Sequence, residues 1–147
     1  MQLRPFRTDD LRTLYEIDQA CFIPGISYTW EELTGFISHR RSQTWVAEDG
    51  TNIVGFLIAQ LEPRKILHIV TIDVVQASRR RGVGTLLMDA AERWASNNNL
   101  RMIGLETAED NLAAHKFYAQ RGYAKVDEIQ EYYGDGTTAW VMVKELG

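Results

Sequence analysis

One cysteine, Cys21, stands in a chain of 147 residues. With no second thiol, an intrachain disulfide framework and a cysteine-rich metal site are both excluded. Only three prolines occur, and no Pro-, Gly- or Ser-rich tract divides the chain, so residues 1–147 read as a single domain. No apolar stretch approaches the roughly 20 residues of a membrane span. Met1 to Thr8 lacks the apolar core of a secretory leader, so a cytoplasmic protein with no membrane partner is expected. Positive charge is scarce as well: 16 Lys and Arg face 20 Asp and Glu, a formal net charge of −4. Nucleic-acid binding driven by overall charge is therefore disfavoured. His39, His68 and His115 have no metal-ligand spacing, so a structural role is expected for each and no metal is expected. There is no Gly-x-Ser-x-Gly elbow, and Cys21 has no visible partner for nucleophilic catalysis.

What remains is a folding chain. Hydrophobic residues make up 45% of it and charged residues 24%, a globular balance rather than a disordered one. Arg4 to Arg7 reads as a first strand. Thr8-Asp9-Asp10 can cap a helix carrying Leu11, Leu14, Tyr15 and Ile17 on one side, broken at Pro24-Gly25. Thr29-Trp30-Glu31-Glu32 is a capping box that opens a second helix to about His39. The period then changes. Gln43 to Glu48 and the apolar run Ile53 to Ala59 read as strands joined by the turn Asp49-Gly50, the second buried on both faces. Ile66 to Val75 is the next strand. Gly82 to Asn98 carries a helical stripe of Leu86, Leu87, Ala90, Ala91, Trp94 and Ala95, stopped by Asn97-Asn98-Asn99. Leu100 to Thr107 is a strand and Asn111 to Arg121 a helix, ended by Gly122. Tyr123 to Tyr132 and Thr137 to Glu145 flank Gly134-Asp135-Gly136 as a long hairpin. The order β-α-α-β-β-β-α-β-α-β-β predicts an α/β (α+β) fold: a mixed, mostly antiparallel central sheet with one β-α-β crossover and helices on both faces.

The richest segment runs from Ile72 to Thr85. A strand ends, Arg79-Arg80-Arg81 follows, and a helix opens at Gly82 and Gly84. Amides at a helix start point outward and carry partial positive charge, and glycine lets a phosphate come close. A diphosphate group suits such a turn; the bland alternative is a tight turn beside a solvated basic run. Two phosphate motifs are excluded. No Gly-x-x-x-x-Gly-Lys-Ser/Thr occurs, and Leu87 stands where a dinucleotide fingerprint needs its third glycine.

Arg79-x-x-Gly82-x-Gly84 resembles the Gln/Arg-x-x-Gly-x-Gly/Ala signature of the GNAT superfamily of acetyl-CoA-dependent N-acyltransferases. Asn111 to Tyr123 resembles its second signature, Asn-x-x-Ala-x-x-x-Tyr-x-x-x-Gly-Phe/Tyr. Within the superfamily the chain is most similar to the ribosomal-protein-alanine N-acetyltransferases, on Leu105-Glu106, Tyr132-Tyr133-Gly-Asp-Gly and the ending Val-Met-Val-Lys-Glu-Leu. It departs from the usual pattern at Asp73, Val75-Gln76 and Thr107-Ala108. Asp73 and Thr107 are expected to face the acceptor side.

The resemblance implies the GNAT fold, with the strand before the crossover splayed from the next. It implies acetyl-CoA as co-substrate, direct transfer to a primary amine, and a monomer or homodimer with no nucleic-acid partner. Amides of Ile72, Asp73 and Val74 would hold the acetyl and pantetheine end. Arg79, Arg80, Arg81, Gly82, Val83, Gly84 and Thr85 would grip the diphosphate, and Asn111 the arm between, although Asn111 can equally cap its helix. Glu106 is the candidate base and Tyr118 the candidate acid toward the departing thiolate. An α-amino group near pKa 8 costs about 1.4 kcal/mol to deprotonate at pH 7, and a lysine near 10.4 roughly 4.6 kcal/mol. Full transfer from a tyrosine near 10 to a thiolate near 8.5 is uphill by about 2 kcal/mol, so Tyr118 only hydrogen-bonds the sulfur unless its site lowers the value. Tyr28, Trp30, Tyr132 and Tyr133 are candidates for the acceptor groove. The acceptor is expected to be a protein N-terminal α-amine. A lysine, a small amine or polyamine, and a non-catalytic acyl-CoA-sensing role remain as alternatives; an RNA-binding role for the arginines lacks a wider basic face.

Overall fold

The structure is a computed structural model describing residues 1–23 and 25–147. The elements are β1 (Gln2–Pro5), α1 (Leu11–Cys21), α2 (Trp30–Ser38), β2 (Ser42–Asp49), β3 (Asn52–Glu62), β4 (Ile66–Val74), α3 (Val83–Asn97), β5 (Met102–Ala108), α4 (Leu112–Gln120), β6 (Ala124–Ile129) and β7 (Ala139–Glu145). Short 3-10 turns cover Thr8–Asp10 and Gln76–Ser78. The element order is the one the sequence predicts. The break expected at Pro24-Gly25 falls partly on Pro24, which lies outside the described residues; Gly25 has φ 94°.

Several boundaries move for local reasons. The first strand stops at Pro5, before Arg7, because Asp10 takes over the backbone there. Its carboxylate accepts the Arg7 N–H at 2.7 Å and the two terminal N–H groups of the Arg4 guanidinium, Nη1 and Nη2, at 2.8 Å. The capping box at Thr29 forms in both directions, Glu32 N–H to Thr29 Oγ1 at 3.1 Å and Thr29 N–H to Glu32 Oε1 at 2.9 Å. Asn99 ends the turn after α3 with φ 57°, a conformation that Asn tolerates. The late hairpin strands are shorter than expected, because residues 130–138 leave the sheet and cross to the α1–α2 connection.

Seven strands form one sheet in the order β1-β2-β3-β4-β5-β7-β6, with β4–β5 the parallel pair. β3 is an interior strand, and its Phe56, Leu57, Ile58 and Ala59 are fully buried between layers of helices. On one face α3 lays Val83, Leu87, Met88 and Ala91 against Leu57, Leu67, Ile69 and Ile103, and Tyr118 of α4 joins that cluster. On the other face Leu14 and Ile17 of α1 and Leu33 of α2 cover Val46, Phe56 and Ile58. Each such buried aliphatic contributes about 1.5–3 kcal/mol, which holds the helices to the sheet.

Two irregularities of β4 shape the site. Its ladder with β5 pairs Ile66, Leu67 and His68 with Met102, Ile103 and Gly104, then ends although both strands continue. The strands splay there, as the resemblance implies. On its other side Ile69 pairs with Ala59 and Thr71 with Ile58, so Val70 is an extra residue, a bulge. The bulge shifts the side-chain alternation. Beyond it Asp73 shares the face of Phe56, toward α1, instead of the face of Leu67 and Ile69.

Candidate active site

The first cleft forms at the start of α3. Gly82 sits before the helix with φ 84°, a left-handed backbone that suits glycine. The first intrahelical bond runs from the Leu86 N–H to the Gly82 carbonyl at 2.9 Å. The N–H groups of Val83, Gly84 and Thr85 are therefore aimed out of the helix end. A cleft of about 620 Å³ opens over them, lined also by Ile72, Asp73, Val74, Arg79, Arg80, Asn111 and Phe117. Arg79 is tied to the strand end, its Nε donating to the Val74 carbonyl at 3.1 Å. Arg81 turns elsewhere: it faces Asp49 across 3.5 Å on the surface and does not line the cleft. Asn111 does cap its helix, its Oδ1 accepting the Ala114 N–H at 3.1 Å, while also lining the cleft.

A second cleft, about 510 Å³, continues from the first across the splayed ends of β4 and β5. Ile72, Asn111, Ala114 and Tyr118 line both. Its walls come from two connections. Phe22, Ile23, Ile26 and Tyr28 follow α1, and Tyr132, Tyr133 and Asp135 lie between β6 and β7. The two lips are joined by the backbone, Gly134 N–H donating to the Gly25 carbonyl at 2.8 Å. A Cβ on Gly134 would meet that carbonyl oxygen at 2.6 Å, so only glycine permits the approach. Tyr28 reaches the bulge, its hydroxyl donating to the Val70 carbonyl at 3.1 Å. Trp30 is not part of this wall. It packs edge-on against Tyr15 of α1, centroids 5.4 Å apart, on the outer side of the helices.

Glu106 stands in this second cleft with its side chain 17% exposed. Its Oε1 is 2.7 Å from His68 Nε2 and accepts the Tyr132 hydroxyl at 3.2 Å. His68 Nδ1 faces Glu62 at 3.5 Å. Burial alone would lower the His68 value, but the bond to Glu106 and the charges of Glu106 and Glu62 raise it on balance. The Tyr132 phenol is pushed up to about 12 by burial and by Glu106. Burial also pushes the Tyr28 and Tyr133 phenols up. Tyr118 is 6% exposed, and burial, reinforced by Asp73, holds its phenol well above the usual range.

The structure thus brings together Glu106, Tyr118, Tyr28, Tyr132, Tyr133 and Asn111, and joins them to the glycine turn. It leaves Arg81 and Trp30 outside both clefts. Asp73 and Thr107, expected on the acceptor side, are 1% and 5% exposed; Thr107 lines the second cleft and Asp73 lines the first. Thr107 shares the inner face of Leu105, and the bulge turns the Asp73 carboxyl toward α1. His68 is the residue that sequence reasoning missed. It pairs with Gly104, two residues before Glu106 on the neighbouring strand, so strand register brings the two side chains together. The sequence signal that points there is the β-α-β crossover itself, which makes β4 and β5 neighbours.

No group of three or more His, Cys, Asp or Glu side chains among the described residues is arranged to hold a metal ion. Nor is any described helix long and apolar enough to cross a membrane.

Residues 11–123 match the acetyltransferase (GNAT) family. An uncharacterised N-acetyltransferase of Methanocaldococcus jannaschii is 30% identical over 146 residues, covering 99% of this chain and 92% of that protein. An N-alpha-acetyltransferase of Saccharolobus solfataricus is 26% identical over 159 residues, covering 98% and 92%. The ribosomal-protein-S18-alanine N-acetyltransferase of Escherichia coli superposes with a TM-score of 0.89 over 99% of this chain and 94% of that one. At 19% identity this last likeness carries the fold. Sequence, topology and the two joined clefts agree: the chain belongs to the acetyltransferase (GNAT) family and is an acetyl-CoA-dependent N-acetyltransferase.

Proposed function

We propose that the acceptor is the α-amine of a polypeptide N-terminus. The observation that carries this reading is the backbone clasp between Gly25 and Gly134. It closes the two lips over the second cleft. A chain terminus needs one way in, whereas an internal lysine brings a polypeptide that must leave in both directions. The S. solfataricus relative, an N-alpha-acetyltransferase by name, supports the same reading.

The residues present suit acetyl-CoA. The N–H groups of Val83, Gly84 and Thr85, with Arg79 and Arg80, offer positive potential to a diphosphate. The exposed backbone of Ile72 to Val74, unpaired with β5 beyond His68, offers hydrogen bonds to the acetyl and pantetheine end. When bound, acetyl-CoA supplies an activated acyl carbon with a thiolate leaving group. The amine nitrogen forms a bond to that carbon as the carbon–sulfur bond breaks. Glu106 takes the amine proton, directly or through one water, and His68 holds its carboxylate in place. A base next to an α-amine has about 1.4 kcal/mol to supply at pH 7, against roughly 4.6 kcal/mol for a lysine.

Tyr118 lies where the two clefts meet. Its raised value opposes outright proton donation, so it hydrogen-bonds the departing sulfur. A hydrogen bond to a charged group is worth about 1.5–3 kcal/mol, so Tyr118→Phe is expected to slow single-turnover acyl transfer by about 10- to 100-fold. An unchanged rate would leave Tyr118 a packing role against Phe117 and Tyr123.

Coenzyme A release measured with N-terminal peptides, Nα-blocked lysine peptides and polyamines tests the acceptor. Turnover concentrated on free α-amines is expected. Faster turnover of a blocked lysine peptide or a polyamine overturns the assignment. No turnover on any of them, with coenzyme binding intact, favours an acyl-CoA-sensing role.

A further inference from the structure

Two buried carboxyls lie beside the active cleft and take no part in the chemistry above. Asp18 of α1 is fully buried and Asp73 of β4 is 1% exposed. Neither forms an ion pair among the described residues. Asp18 Oδ2 accepts the Tyr28 N–H at 2.7 Å, and Asp73 Oδ1 accepts the Thr71 hydroxyl at 2.6 Å. The other oxygen of each, Asp18 Oδ1 and Asp73 Oδ2, is buried with no donor among the described residues. Cys21, one turn beyond Asp18 on α1, donates its thiol to the Val74 carbonyl at 3.4 Å, so α1 brings Asp18 to the stretch of β4 that carries Asp73. One proton between them satisfies both orphaned oxygens and removes one of two like charges that burial would make costly.

We propose that Asp18 and Asp73 share a single proton, and that this acid pair is the latch that positions the acceptor wall of Phe22, Ile23, Ile26 and Tyr28 against β4. The latch has three connected parts. The bulge at Val70 turns Asp73 toward α1. The shared proton joins Asp73 to Asp18. Asp18 in turn holds the Tyr28 amide, while the Tyr28 hydroxyl holds the bulge carbonyl. The wall that carries Phe22, Ile23, Ile26 and Tyr28 is thereby tied to the strand whose backbone faces the acetyl group.

The groups around the pair are consistent with a neutral Asp73. Burial, then Asp18, raises its value well above the ordinary carboxylate range, while Thr71 and Arg79 oppose the shift. Arg79 is the cation on that side, and its Nε is already engaged by the Val74 carbonyl. Cys21 of α1, Tyr28 of the wall and Tyr118 of α4 also face the pair, and burial pushes all three up, so they add no charge near neutrality. The sign follows. The folded chain retains a proton that an unfolded Asp loses near pH 4. The shared proton is therefore kept above pH 4, and the latch loosens as pH rises through the raised Asp73 value.

The inference rests on the second cleft being the acceptor site, and its test separates the two. Full-length protein labelled at aspartate carboxyl carbons and backbone nitrogen is titrated by NMR with no acceptor present. One carboxyl titrating far above the others, with the Tyr28 amide shift following the same curve, is the expected result. In Asp18→Asn the new side-chain N–H donates to Asp73, so both signals should lose that raised transition. Ordinary titration of every Asp, or a Tyr28 amide that does not follow the pair, overturns the latch. The second arm uses Ala- and Ser-starting tetrapeptides. Loss of the Tyr28 anchor in Asp18→Ala should raise the peptide KM by about fivefold, the loss of one hydrogen bond, with kcat nearly unchanged. Equal KM values with the NMR result intact remove the acceptor role of the pair. If neither peptide is turned over by the unmodified chain, it is the acceptor reading that fails, and the NMR arm decides the latch.

Discussion

Glu106→Gln is expected to lower kcat by about 10²–10⁴-fold, the range for a positioned general base. The substitution keeps shape and keeps an acceptor oxygen for Tyr132, so the cleft is preserved. It removes the negative charge beside His68. Coenzyme A affinity should hold, because Glu106 lies in the second cleft and not over the α3 amides. The pH profile gives an independent reading. His68 is raised on balance by Glu106 and Glu62, against the pull of its burial. The catalytic form needs His68 neutral, so activity should rise with pH through a point above the ordinary histidine value of about 6.5. In the Gln variant the main raising influence is gone, so the residual activity should rise at lower pH. The bond between the two side chains also affects stability. Its ionic part is fully present below about pH 6.5 and is lost as pH rises through the raised His68 value, while a neutral His68 keeps an Nε2–H to donate to Glu106. Steady-state rates across pH 6 to 9 check the chemistry. A Gln variant with undiminished turnover removes Glu106 from the mechanism.

Gly84→Asp should abolish coenzyme binding while leaving the fold intact. Gly84 is the second residue of α3, where a carboxylate complements the helix dipole, so the melting temperature should hold or rise. A side chain has room: a Cβ there meets the Phe117 ring edge at 3.4 Å, an ordinary contact. The introduced charge stands where the diphosphate is expected. Like-charge juxtaposition costs several kcal/mol, and about 2.7 kcal/mol already weakens binding about 100-fold. Calorimetry with coenzyme A reads the effect. Gly84→Asn, similar in size but uncharged, should lose far less. Undiminished affinity in the Asp variant would show that the diphosphate is gripped elsewhere, and the whole reading of the glycine turn would go with it.

Much of this site can be read locally. The Thr29 box, the glycine pair before α3 and the stop at Asn99 are signals within a few residues, each satisfied by its own backbone. Glu106 at a strand end and Tyr118 in the second signature were legible for the same reason. Arg81 and Trp30 were not, because a run of arginines or a cluster of aromatics does not say which member turns inward. Arg81 found Asp49 and Trp30 found Tyr15, both outside the clefts.

The amino-acid sequence by itself determined the order of the elements, the helix start at Gly82 and the family. Tertiary structure decided that His68 stands against Glu106, that Gly134 touches Gly25, and that Asp73 turns toward α1. The physical reason is register. Side chains alternate along a strand, so one extra residue at Val70 reverses which face every later one occupies. Where that extra residue falls is set by packing between β3, β4 and α1, elements distant along the chain.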